Sequence, residues 1–480
     1  MREFLGLCGF DERESRALLP RVQKVFSRLG LTAEDVEVAR SRMTTYYDME
    51  LQGVRRLMGI FLKDFCNIVL MRDDGRERIV HACMLPGMDI LGSAIMANSP
   101  GVGLMSPNTT FMLVMGCMFG RFEPVLEAAE RQWLRAGTMA HCGMVKSRVG
   151  LISLGMIPKP DLTITSGFVC ETSPKVNELL EEVYGIPACF VDTCEDREFQ
   201  EYPDATRATV FAAKSMRAAC RRIEEKTGFA ITDDMLWRVL EGRKAFDSAM
   251  GRLNDLIRRS DPVPIGSTHL NLLQALGCVS FIGNELAEAV AALDTLYGEL
   301  LDRTKKGIGA TPKGAPRLLG IFPHHHSDPR WEYLANQMGL AIVAFDFQGS
   351  SERGTSGAGL VDPGDPYEVI AQHLHGSFTQ PLGGRLTIIL DMCRRLKVDG
   401  VLNHYHLGCR YVVGDAIILR DVILKELRIP VLMVEWDNFD PRVYNHAQYE
   451  AKLETFRSML EGPGGESRGP AETTGNVHGK

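Results

Sequence analysis

The sequence predicts an α/β chain of two Rossmann-like (flavodoxin-like) parallel-sheet domains, joined by a helical segment and preceded by an N-terminal helical cap. Three observations predict it. The order strand, loop with a lone cysteine, helix, Ile-Pro, strand occurs twice, around Leu162 to Asp192 and around Gly400 to Val434; parallel strands need such crossovers, right-handed by default. Between these stretches, residues 204–312 carry an almost unbroken helical spacing of apolar positions. The first 64 residues show the same spacing and no strand signal. The expected boundaries are 1–64 for the cap, 65–203 for the first α/β domain, 204–312 for the helical region and 313–461 for the second α/β domain. Residues 462–480, rich in Gly, Pro, Glu and Thr, are expected to be a disordered tail.

Within the cap, Leu18, Leu19, Val22, Val25, Phe26 and Leu29 fall on one helical face. Ile68 to Met71 then reads as a strand, Asp73-Asp74-Gly75 as a turn, and Ile79 to Met84 as a hairpin or next-strand partner. Asp89 opens a helix of small residues ending near Asn98, where a carboxylate suits the positive end and capping is the expected role. Asn108 to Phe119 is apolar, and Phe122 to Gly137 is an amphipathic helix. Leu162 to Thr165 and Ala188 to Asp192 are strands flanking a helix that ends at Tyr184.

The helical region divides into Ala205 to Gly228, Asp233 to Arg259, Leu270 to Cys278 and Gly283 to Thr304, with Cys220 and Cys278 as core residues. Pro316 to Phe322 and Leu340 to Phe345 are strands around the helix Arg330 to Met338, and Leu382 to Leu396 is a further helix. The strand Gly400 to Leu402 opens into His404-Tyr405-His406-Leu407-Gly408-Cys409, at the carboxyl end where ligands gather in open α/β sheets. A helix follows through Ile417, Ile418, Val422, Ile423 and Leu427, then the strand Val431 to Val434 and a helix over Gln448 to Met459. The loop between them holds Glu435, Asp437 and Asp440, either a site or a solvated helix start.

At 480 residues and 45% hydrophobic content the chain can bury sizeable cores, and its net charge of -7 offers no field for nucleic acid or an anionic membrane surface. No apolar run reaches membrane-spanning length, and the N-terminus lacks the apolar core of a secretory signal, so a cytoplasmic location is expected. There are twelve cysteines and no CxxC, which removes the zinc-ribbon and ferredoxin spacings. The three histidines His324 to His326 end a strand; adjacent side chains point apart there, so polarity in a cleft is preferred to a metal site, with a solvated loop about as frequent an outcome. Neither a phosphate loop nor a GxGxxG turn is present.

The run from Val398 to Leu460, with its VDGVL strand, lone Cys409, helix, Ile-Pro, acidic strand end, Asp-Pro-Arg and QYE helix, resembles the 2-hydroxyacyl-CoA dehydratase and benzoyl-CoA reductase family. Two further stretches extend the resemblance: His141-Cys142-Gly143-Met144-Val145-Lys146, and Val169-Cys170-Glu171 after a strand. It covers residues from about 80 to 460, and the chain's length matches the larger of two paralogous subunits.

The resemblance implies that Cys142, Cys170 and Cys409 hold a [4Fe-4S] cluster, with Cys194, Cys189 and Cys117 as lower-ranked alternatives. Three thiolates would leave one iron open to act as a Lewis acid. It further implies a shorter paralogous subunit, an acyl-CoA substrate, and a separate ATP-dependent iron-sulfur activator that delivers one electron. In that family the thioester carbonyl becomes a ketyl radical anion, the β-proton becomes acidic, and the 2-hydroxyl leaves to give an enoyl-CoA. Aromatic ring reduction on the same scaffold, or a non-catalytic electron-transfer or scaffold role, are the other readings open to the sequence.

Overall fold

The computed structural model describes residues 1–83, 87–132, 141–167, 170, 172–192, 206–322, 325–346, 362, 364–375, 382–406 and 408–461. Four helices come first: α1 (Arg2–Leu7), α2 (Glu12–Arg28), α3 (Ala33–Tyr46) and α4 (Gln52–Val69). Asp11 with Glu14, and Thr32 with Asp35, close reciprocal capping boxes that fix the starts of α2 and α3. Helix α4 is mostly buried, with Gln52, Arg55, Arg56, Lys63 and Asn67 forming a narrow polar stripe along it. Ile68 and Val69 finish α4, and Met71 lies in the turn after it, so the strand expected there is absent. A short apolar run cannot by itself distinguish a buried strand from the end of a buried helix.

The first sheet is built from β1 (Arg78–Cys83), β2 (Val102–Met105), β3 (Leu162–Ser166) and β4 (Ala188–Val191), with α5 (Met88–Asn98), α6 (Pro107–Phe111), α7 (Glu123–Gln132), α8 (Gly143–Ser153) and α9 (Thr172–Tyr184) between them. A π-helix over Met112–Met118 continues α6. All pairs are parallel in the order β2-β1-β3-β4, with Ile79 opposite Gly103 and Ala82 opposite Ile164. Residues 78–83 are therefore a central strand and make no hairpin.

Helices α10 (Thr206–Thr227), α11 (Asp233–Arg259), α12 (Thr268–Ala275) and α13 (Glu285–Lys306) link the sheets. The second sheet has β5 (Arg317–Ile321), β6 (Ala341–Phe345), β7 (Gly400–Tyr405) and β8 (Val431–Glu435), with α14 (Arg330–Gln337), α15 (Pro366–His375), α16 (Leu382–Leu396), α17 (Arg410–Leu427) and finally α18 (His446–Glu461). It is also parallel, in the order β6-β5-β7-β8. The two halves share one strand order, so the twofold pattern legible in the sequence is a repeat of topology. Strands buried on both faces, such as Leu318 to Ile321, explain the continuous apolar runs.

The N-terminal helices are part of the main core. Gly53 of α4 lies so close to α13 that a Cβ there would stand 2.5 Å from the Leu296 Cβ, and the Glu299 carboxylate accepts the N–H groups of Gln52 and Gly53 at 2.8 and 2.9 Å. Among the described residues no helix is long and apolar enough to cross a membrane.

Candidate functional site

Each of the three cysteines named by the resemblance stands at the start of a helix. Cys142 is the N-cap of α8 and Cys409 the N-cap of α17; the Cys142 carbonyl accepts from Lys146 N–H at 3.0 Å and the Cys409 carbonyl from Val413 N–H at 3.0 Å. Cys170 lies two residues before α9, its Sγ 3.2 Å from Thr172 Oγ1. Helix N-termini carry unpaired N–H groups and partial positive charge, which favour sulfur in its anionic form. All three thiols are half-buried.

The three are also near one another. Burial, followed by Asp437, Cys170 and, more weakly, Cys409, pushes the Cys142 thiol well above its ordinary value. Two cysteines of the first half and one of the second thus crowd their prospective negative charges together. A bound cation would offset that crowding, since metal ligation favours the thiolate form.

Asp437 ties the halves together at this point. Its Oδ2 accepts the Gly143 N–H at 2.7 Å and its Oδ1 the Phe439 N–H at 2.9 Å. His406 Nε2 lies 3.8 Å from the same Oδ2, so one carboxylate touches the start of α8 and faces the loop before Cys409. Burial first raises its pKa, and His406 opposes the rise. Beside it Arg442 binds Glu130 at 2.7 and 2.9 Å and also pairs with Asp440, while Lys146 reaches Glu130 at 2.8 Å. Asp437 and Asp440 are buried members of this clamp and Glu435 is exposed, which decides between the two readings of that acidic loop. Asp89, expected to cap α5, lies in the first turn of that helix and pairs with Arg243 of α11.

Around the end of β7, which leads toward Cys409, lies a buried aromatic layer. The His325 ring stacks on Trp331 at 4.7 Å, His404 lies 4.2 Å from Trp436, and the His326 ring stacks on Phe439 at 5.5 Å. His325 and His326 are 1% and 6% exposed, so neither belongs to a solvated loop. His324 and Cys194 lie outside the described residues, as do residues 349–361 and 462–480. Cys117 is locked in the π-helix, its Sγ directed at the His326 carbonyl at 3.3 Å, and Cys189 sits on β4.

His325 Nδ1 meets Glu332 Oε1 at 2.8 Å. Burial pushes the Glu332 carboxyl up to about 8 and holds His325 well below its usual value, so the contact is a neutral hydrogen bond near pH 7. A carboxyl protonated when folded and ionised when unfolded gives stability that is present at low pH and lost as pH rises toward 8. A histidine kept neutral contributes the opposite slope below its unfolded value near 6.5. Between pH 6.5 and 8 the histidine of this pair no longer contributes, and the glutamate adds to the like-signed effect of Asp64, whose carboxyl burial pushes up to about 7. Glu332→Gln is expected to flatten the fall in Tm over that window, as calorimetry at half-unit steps would show; a parallel fall in both proteins would refute it.

The donor chemistry fits an iron-sulfur cluster: three thiols from separate loops, each at a positive helix end, within electrostatic reach of one another. Among the described residues no three His, Cys, Asp or Glu side chains converge as a single metal ion requires. Thiolates of a cube bind different irons and stand further apart than ligands sharing one ion.

Residues 79–460 match the family model described as 2-hydroxyglutaryl-CoA dehydratase, D-component. A subunit of benzoyl-CoA reductase from Thauera aromatica is 25% identical over 346 residues, covering 67% of this chain and 76% of that protein. The alpha subunit of (R)-2-hydroxyglutaryl-CoA dehydratase from Acidaminococcus fermentans is 24% identical over 325 residues, 64% of this chain and 61% of that protein. The alpha subunit of lactoyl-CoA dehydratase from Anaerotignum propionicum is 22% identical over 321 residues, 64% of this chain and 70% of that protein.

Proposed function

The chain belongs to the 2-hydroxyglutaryl-CoA dehydratase D-component family, and from that premise we propose that it is the iron-sulfur subunit of an (R)-2-hydroxyacyl-CoA dehydratase working in the cytoplasm. The observation that carries the reading is the gathering of Cys142, Cys170 and Cys409 at three helix starts drawn from both halves. When bound, a [4Fe-4S] cluster on these thiolates supplies a low-potential electron and the Lewis acidity of an iron lacking a fourth thiolate.

The chain's own residues supply position and dryness. Asp437 fixes the start of α8 through the Gly143 N–H, and the Glu130, Arg442 and Lys146 network holds α7 and α8 against the loop after β8. The layer of Trp331, Trp436, His325 and His404 buries the end of the strand that leads into the Cys409 loop, and a buried setting strengthens charge interactions beside it. The relatives are named as subunits, which supports a partner subunit; in our reading that partner is a shorter paralogue and the electron source is an ATP-dependent activator.

The similarity to a benzoyl-CoA reductase favours a second reading, reduction of an aroyl-CoA on the same site. One experiment separates them. The anaerobic, activated complex is mixed with 2-hydroxyacyl-CoA and with aroyl-CoA compounds, and the electron paramagnetic resonance of the cluster is followed. A shift with 2-hydroxyacyl-CoA alone is expected; a shift with aroyl-CoA alone would establish the second reading, and no shift with either would refute both.

A further inference from the structure

Arg148, the sixth residue of α8, is completely buried. Its Nη1 donates to the Ser173 carbonyl at 3.0 Å and to Ser173 Oγ at 3.1 Å; its Nη2 donates to Thr163 Oγ1 at 2.9 Å and to Asn177 Oδ1. Among the described residues its Nε finds no acceptor and no carboxylate pairs with it. Each acceptor it does have is neutral. Arginine is almost never fully buried without a partner charge, because leaving a guanidinium unpaired in a protein interior costs several kcal/mol.

The second half shows what this position holds elsewhere in the molecule. Helix α16 leads into the third strand of its sheet as α8 does in the first, and it too carries a buried arginine, Arg385. Arg385 donates to Asp346 Oδ2 at 2.8 and 3.0 Å, with Asp415 Oδ2 3.6 Å from its Nη1. Asp346 directly follows β6, and Asp415 is the sixth residue of α17. The corresponding places in the first half are Ser106, directly after β2, and Asn177, the sixth residue of α9. Both acids are replaced by neutral groups in the half that contributes two of the three cysteines.

The groups facing Arg148 point to what takes their place. His81 lies on β1, its Nε2 3.3 Å from Asn108 Oδ1, and burial with Arg148 nearby pushes its pKa down to about 3, so it brings no charge. Among the described residues the remaining ionisable neighbours are thiols, Cys83 at the end of β1 and Cys170. Ser173, which Arg148 binds twice, adjoins Thr172, whose hydroxyl meets the Cys170 sulfur.

We propose that Arg148 is a fixed positive charge whose partner is the thiolate cluster on its Cys170 side, so that the guanidinium stabilises the anionic ligands and favours the cluster's reduced state. The inference rests on the reading that Cys170 is a cluster ligand. Arg148 acts through the cysteine, as a positioning residue, and takes no part in contacting substrate. Because reduction adds negative charge, removing the guanidinium or neutralising it locally makes reduction harder. Salt has little influence on so buried a charge.

The test uses Arg148→Met and Asn177→Asp in the complex with its partner subunit, with iron content, thermal stability before iron loading, and the midpoint potential as readouts. Asn177→Asp restores the acid that the second half carries and leaves the arginine in place. It is expected to hold or raise stability before iron loading. In both variants the ratio of reduced to oxidised cluster at a fixed potential is expected to fall about tenfold or more, which is about 59 mV for one electron. Unchanged potentials in both variants would overturn the proposal. Full iron retention in Cys170→Ala, measured alongside, would overturn the ligand assignment itself and the proposal with it, whereas unmoved potentials with Cys170-dependent iron overturn only the role of Arg148.

Discussion

Replacing Cys142, Cys170 or Cys409 by Ala is expected to remove most of the iron from protein prepared without oxygen, about four irons per chain in the parent, and to lower activity at least about a hundredfold. That figure is the upper end of what loss of an outer-shell partner alone costs a metal site, so a true ligand must exceed it. Cys117→Ala is the internal comparison. Its thiol is sealed in the core, where burial pushes it far above the range in which it could ionise, and its sulfur already has the His326 carbonyl as a partner. That variant should cost stability and keep its iron. Full iron in all three ligand variants would refute the assignment, and iron loss in Cys117→Ala in place of them would relocate the site.

The second large effect belongs to Gly143. A Cβ here would lie 2.4 Å from the Phe439 carbonyl oxygen and 2.6 Å from its carbon, both backbone atoms of the other half. In an unobstructed helix Gly→Ala gains about 1 kcal/mol. Overpacking against backbone that cannot yield costs about 1–3 kcal/mol or more, and here it would also pull the Gly143 N–H from Asp437. The clash outweighs the propensity. Gly143→Ala is expected to lower Tm by several degrees and to weaken iron retention together. A variant with raised Tm and full iron would show that the two halves are free to part at this contact.

Both predictions concern features that differ in how far the sequence reveals them. The positions of Cys170 and Cys409 were legible because a strand, a punctuated loop and a helix follow one another locally, and local order is what periodicity reports. Strand β2 was not: Val102 to Met105 is four residues long, contains Gly103 and follows Ser99-Pro100-Gly101, so it lacks both length and alternation. The segment Ile68 to Met71 misled in the opposite sense, since it lies beyond Asn67, the last member of the polar stripe of α4, and four apolar residues carry no period of their own. The clamp of Asp437 on Gly143 and the missing acid beside Arg148 were illegible for another reason. Each depends on residues far apart in sequence that only sheet order brings together. A single chain states which residues it has and is silent about which of them it will place face to face.

The close seat of α4 on α13 also bears on the chain's birth. The family match begins at residue 79, yet the helix just before it is sealed against a helix centred near Leu296. At a synthesis rate of about 5–20 residues per second, the roughly 240 residues between Gly53 and its partner take on the order of ten to fifty seconds to leave the ribosome. For all of that time the face of α4 that meets α13 is uncovered, while α1 and α2, made earlier, can already cover the sides around Gly59 and Asn67. That one face must therefore be shielded, by a chaperone or by provisional contacts, until α13 emerges, which makes the wait itself a hazard separate from the stability of the finished protein.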